Sequence, residues 1–154
     1  MTMKRYLIGV GVALFGAALL YYVIGSADAG GVTLKLDDAA TVSLGSEVYA
    51  QNCASCHGAN LEGQPDWKER DADGLLRAPP HNASGHTWHH DSDLLFRLTK
   101  YGPADVIGDP GYVTNMPAYQ DTLTDDEIIA VLSYIKSTWP RHIRERHDEM
   151  EKRQ

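Results

Sequence analysis

The chain opens on an uninterrupted apolar run. Residues 7–24 (LIGVGVALFGAALLYYVI) carry no charge, and Lys4 and Arg5 precede them. As a helix, 18 such residues would span about 27 Å, close to the hydrocarbon thickness of a bilayer. The pattern predicts a transmembrane helix over 1–25, with the basic pair holding its N-terminus in the cytoplasm. Tyr21 and Tyr22 suit the outer interface. Ala27-Asp28-Ala29 supports a rival reading, a signal segment cleaved after Ala29. Both readings export the remainder of the chain. In a bacterium the domain would then face the periplasm from the inner membrane, or be soluble there after cleavage.

Residues 26–40 (SADAGGVTLKLDDAA) are small and polar and read as a linker. A first helix comes next, capped by Thr41 or Ser43 and running through Tyr49 to Asn52. Gly58, Gly63, Pro65, Gly74, Pro79, Pro80 and Gly85 then punctuate a long loop. Leu94, Leu95 and Leu98 mark the apolar face of a second helix, which starts near Asp91 or Ser92 and is stopped by Gly102-Pro103. Residues 103–120 read as another loop. Thr124 and Glu127 form a capping box that opens a third helix, reaching to about Trp139, with Ile128, Val131, Leu132 and Ile135 on one face. Pro140 interrupts it. The remaining tail, 140–154, is mostly charged and reads as a solvated helix or frayed end. The organisation is therefore all-α: three main helices joined by long loops, over residues 41–139. Loops of this length in a compact domain imply that something large fills the middle.

Charge narrows the partners. The full chain has a net charge of −7, and the part from residue 26 onward has 12 basic and 21 acidic residues, net −9. No basic patch suits nucleic acid, so that partner class is not expected. An acidic surface favours a basic or neutral docking partner. Two cysteines alone make no disulfide framework, so the pair must be read as a local site.

That site is Cys53-Ala54-Ser55-Cys56-His57. Two thiols on one turn can reach the two vinyl groups at a porphyrin edge, and the next residue projects an imidazole to the iron. Cys-X-X-Cys-His is the attachment pattern of c-type haem. A redox dithiol would expect a strand before the motif, and a structural zinc site would need further ligands, usually a second cysteine pair. No strand pattern precedes the motif and no second cysteine pair exists, although several histidines do. The other axial position falls to Met116, 59 residues beyond His57, in the loop Thr114-Asn115-Met116-Pro117-Ala118-Tyr119. A thioether there favours Fe(II) and raises the potential. The bland alternative makes Met116 a packing residue. His81, His86, His89 and His90 are competing ligands or surface histidines. Trp88 could donate to a haem propionate or cover the haem edge. His57 needs an acceptor for its other ring nitrogen, and a carbonyl in Ala78-Pro79-Pro80 is the candidate.

With these residues in view, the chain resembles class I cytochromes c over residues 43–139. Gly45-X-X-X-Tyr49-X-X-X-Cys53 resembles the first helix of that family. Val131-X-X-Tyr134-Ile135-Lys136 resembles the answering face of the last helix, and Asn115-Met116-Pro117 resembles the methionine loop. The resemblance implies the cytochrome c fold, one covalently bound haem with an exposed edge, and single-electron transfer between redox protein partners rather than enzymatic catalysis. Gly85-His86-Thr87-Trp88-His89-His90 and the Trp139-Pro140 ending resemble small membrane-anchored bacterial cytochromes. The donor would be a respiratory complex or dehydrogenase, and the acceptor a terminal oxidase or reductase. The alternatives are a peroxidase-like haem enzyme or a gas or redox sensor, each needing an open sixth position at the iron.

Overall fold

The computed structural model describes residues 31–153. The anchor expected over 1–25 and the cleavage site at Ala29 lie outside the described residues. Six α-helices are present among the described residues: α1 (Ala39–Asn52), α2 (Ala54–His57), α3 (Ser92–Tyr101), α4 (Pro103–Ile107), α5 (Asp125–Ser137) and α6 (Arg141–Glu151), with a 3-10 turn at Thr87–His89. Strand pairing among them is limited to one isolated bridge between Arg70 and Leu76. None of these helices is long and apolar enough to cross a membrane. The all-α expectation therefore holds for the described chain.

Local chemistry explains the boundaries. The cap of α1 is Asp38, not Thr41 or Ser43. Its carboxylate accepts from the backbone N–H of Ala40 at 3.0 Å, and from the Thr41 hydroxyl at 2.8 Å. An ionised carboxylate at an N-terminus outcompetes a hydroxyl one turn later, because the orphan N–H groups and the helix dipole both favour it. Asp91 caps α3 by accepting from Leu94 N–H at 2.7 Å. The Thr124–Glu127 capping box of α5 forms in full. Gly102 ends α3, and Pro103 starts the short α4 inside the expected loop, where its missing N–H costs nothing.

The core is the crossing of α1 on α5. Ile128, Val131, Leu132 and Ile135 are buried on one face of α5, as the spacing predicts, and Val48 and Tyr49 meet them from α1. Gly45 sets the approach: a Cβ there would lie 2.0 Å from the Ala130 carbonyl oxygen and 2.8 Å from Tyr134 Cβ. Beside it the Tyr49 and Tyr134 rings pack with centroids 5.7 Å apart.

The charged tail differs from expectation. It forms α6 and docks on the domain, with Ile143 and His147 buried. The physical reason is an i, i+4 stripe, Ile143-His147-Glu151, inside a sequence whose other residues are mostly charged. His147 Nε2–H donates to His90 O at 2.9 Å, and Glu151 accepts from Ser92 N–H at 2.8 Å. Lys136 of α5 pairs with Asp148 at 2.6 Å, and Arg146 lies over the Trp88 ring.

Candidate functional site

The cysteine motif sits where α1 ends. Cys53 N–H bonds back to Tyr49 O at 2.9 Å, and the chain re-enters a single helical turn, α2, that carries Ala54 to His57. The turn presents both thiols and the imidazole within five residues. Both thiols are free; Cys53 is half-buried and Cys56 exposed. Burial, reinforced by Cys56, pushes the Cys53 thiol up to about 11. Among the described residues no strand leads into the motif and no group of three or more His, Cys, Asp or Glu side chains gathers as a metal site, which disfavours the redox-dithiol and zinc alternatives.

His57 is buried at 8% exposure. Its Nδ1 lies 2.8 Å from Pro79 O. A carbonyl can only accept, so Nδ1 carries the proton and Nε2 keeps its lone pair. The expected acceptor stretch, Ala78 to Pro80, narrows to one atom. Burial lowers the His57 pKa, the Pro79 hydrogen bond opposing it, so the ring stays neutral at pH 7, as a metal ligand must.

Pro79 is itself held in place. Gly63, at φ +70, packs directly on the Pro79-Pro80 peptide; a Cβ there would fall 2.4 Å from Pro80 N. Only glycine tolerates both that conformation and that contact. Gly63 N–H donates to His57 O at 2.7 Å and Gln64 N–H to Ala78 O at 2.9 Å, tying the two loop segments to the motif.

Met116 is half-buried, and its N–H donates to Thr114 Oγ1 at 3.1 Å. The loop that carries it is clamped three residues later. Tyr119 O–H donates to Asn52 O at 2.8 Å, next to Cys53, and Gln120 N–H donates to Lys100 O at 2.9 Å. Burial raises the Tyr119 pKa, helped by the nearby Cys53 and Cys56, so the phenol remains a donor at neutral pH. The methionine loop and the thiol turn are thus joined through one side chain.

The rings of the histidine loop stack on neighbouring rings. His81 stacks face to face on His57, centroids 4.0 Å apart at 23°. Two rings in that relation lie side by side, not on opposite sides of a metal. His86 stacks on Trp67 and His89 on Trp88. Trp88 Nε1–H donates to Ala83 O at 3.3 Å, so the indole is engaged by its own loop. Trp139 Nε1–H donates to His81 O at 2.8 Å. That link, and the His57–His81 stack, carry no signal in the sequence, since neither follows from spacing.

The donor set fits a c-type haem: two thiols within one turn, and an imidazole with Nδ1 engaged and Nε2 available. The model of the cytochrome c family matches residues 42–139. Subunit CcoP of the cbb3-type cytochrome c oxidase of Rhodobacter capsulatus is 28% identical over 102 residues, 65% of this chain and 30% of that protein. The chain therefore corresponds to less than a third of that relative. No solved structure matches. The chain belongs to the cytochrome c family, and with membership goes electron transfer through a covalently bound c-type haem.

Proposed function

We propose that the protein is a single-electron carrier with one haem c, attached through Cys53 and Cys56 and ligated by His57 and Met116. The observation that supports this best is the His57 imidazole, one residue beyond the second thiol, with Nδ1–H on Pro79 O and Nε2 left to bind. When bound, the cofactor supplies a one-electron Fe(II)/Fe(III) couple, which a thioether ligand biases toward Fe(II). The chain's own residues do the rest. The Pro79 carbonyl orients the imidazole and raises its basicity. Tyr119 ties the methionine loop to the end of α1, so that the Met116 sulfur is held rather than searching.

In this reading residues 1–25 anchor the protein in a bacterial inner membrane, the linker that follows ends by Asp38, the cap of α1, and the domain through 139 faces the periplasm with α6 docked on it. A tether raises the effective concentration of a carrier beside its partners. The likeness to an oxidase subunit supports a terminal oxidase as acceptor, with a respiratory complex or dehydrogenase as donor. The net charge of −9 beyond residue 25 favours partners that present a basic patch.

The test is the absorption spectrum of the oxidised protein matured with haem. A weak far-red band reports a sulfur–iron bond, and Met116→His should abolish it. Bound haem without that band, together with ready uptake of carbon monoxide, would refute the His/Met assignment and point to the peroxidase-like or sensor alternatives.

A further inference from the structure

Nothing in an imidazole–iron bond fixes the rotation of the ring about that bond. The Pro79 carbonyl holds one ring nitrogen of His57, at 2.8 Å, and a single hydrogen bond still lets the ring plane tilt. The open degree of freedom is closed by a second ring. We infer that His81 is a positioning residue that fixes the plane of the His57 imidazole by stacking on its face. This rests on the reading of His57 as the axial ligand.

His81 is built to serve as a fixed wall. Its N–H donates to Leu61 O at 2.9 Å. Its carbonyl accepts from the Trp139 indole at 2.8 Å. Its ring meets the Tyr49 ring edge-on, with centroids 6.2 Å apart. Its Nδ1 lies 2.9 Å from Thr87 Oγ1, and that hydroxyl lies 3.4 Å from Pro80 O. Because Pro80 O only accepts, Thr87 donates there and accepts from His81 Nδ1–H. Gly85 closes the loop against the same carbonyl: a Cβ at Gly85 would come within 1.9 Å of Pro80 O. Backbone, side chain and ring are each held, and the face that remains is the one on His57.

Partners that orient a ligand act on the metal through the ligand's plane and basicity. The experiment is electron paramagnetic resonance of the oxidised, haem-loaded full chain, with a parallel redox titration. His81→Phe keeps a flat ring at this position, and His81→Leu does not. The expected result for His81→Phe is g-values centred on the wild-type ones and only slightly broadened, because the ring is kept while its bond to Thr87 is lost. His81→Leu should give shifted and broadened g-values and a shifted midpoint potential, with helix content and covalent haem unchanged. Thr87→Val, which removes the partner of Nδ1 together with the donor to Pro80 O, should broaden the g-values to a lesser degree and serves if His81→Leu does not fold. Wild-type g-values in His81→Leu, or in Thr87→Val where it stands in, would overturn the inference. So would a His81→Phe shift as large as that of His81→Leu. A wild-type spectrum without a low-spin, histidine-ligated signal would instead overturn the ligand assignment, and this inference with it.

Discussion

Replacing Gly45 by alanine probes the contact on which the α1–α5 crossing depends. The new Cβ would lie 2.0 Å from Ala130 O and 2.5 Å from Ala130 C, both backbone atoms within α5. Carbon–oxygen contacts settle at about 3.3 Å or more, so the helices must part by about 1.3 Å. Backbone in mid-helix cannot swing aside as a flexible side chain would. Overpacking of this kind costs about 1–3 kcal/mol. Loosening the Tyr49–Tyr134 pair adds about 0.5–1.5 kcal/mol. Alanine's better helix propensity returns about 0.8–1 kcal/mol. The net expectation is a loss of about 0.5–3.7 kcal/mol, set against the roughly 5–15 kcal/mol that holds a domain folded. Urea unfolding of the haem-loaded protein, followed by helix circular dichroism, measures it, with exposed Ser46→Ala in the same helix as the control for propensity. A Gly45→Ala variant as stable as wild type would refute the close crossing.

Tyr119→Phe removes the donor to Asn52 O and frees the methionine loop from the thiol turn; the far-red band should weaken and carbon monoxide uptake should quicken, both read by absorption. Thr124→Ala removes the hydroxyl half of the α5 capping box and should cost about 0.5–2 kcal/mol in urea unfolding. His147 has its pKa lowered by burial and then by Lys136, against the opposing pull of Glu151. The unfolded chain therefore binds its proton first as pH falls below the ordinary histidine value of about 6.5, and this contribution to stability is lost downward from there. Comparing urea midpoints at pH 7.5 and 5.5 should show that loss in wild type and a smaller one in His147→Phe. An equal loss in both would place the titration elsewhere.

The parts of the fold that sequence makes legible are those with local causes. The Thr124–Glu127 box and the stripe on α5 are short-range patterns, and the structure realises both. Gly45, Tyr49 and Tyr134 are legible through the resemblance to class I cytochromes c, which implies a close crossing of the first and last helices, and the structure forms that crossing. The acceptor on His57 is placed by sequence only within Ala78-Pro79-Pro80, and the loop path singles out Pro79 O. Asp38 does not stand out as a cap because it lies in what reads as linker, and the carboxylate's advantage emerges only once the helix start is known. The docking of α6 is hidden because two buried residues, Ile143 and His147, are too few to lift a stripe above the surrounding charge. The histidine stack is unreadable for a stronger reason: it joins residues 57 and 81 through the course of a loop, and loop paths are set by contacts such as Gly63 on Pro80, not by period.

The crossing of Gly45 on Ala130 also bears on the order of events during biogenesis. The two residues are far apart in the chain, and pairings of such long range form late because loop closure must precede them. Cys53 and Cys56 come directly after α1 and are synthesised well before α5 is. In the closed domain Cys53 is half-buried and its thiol is held protonated. Whatever enzyme modifies that sulfur meets it most readily on a nascent, still open chain, so maturation and folding compete for the same interval. Variants that speed closure of the crossing should lower the yield of mature protein even where they raise its final stability.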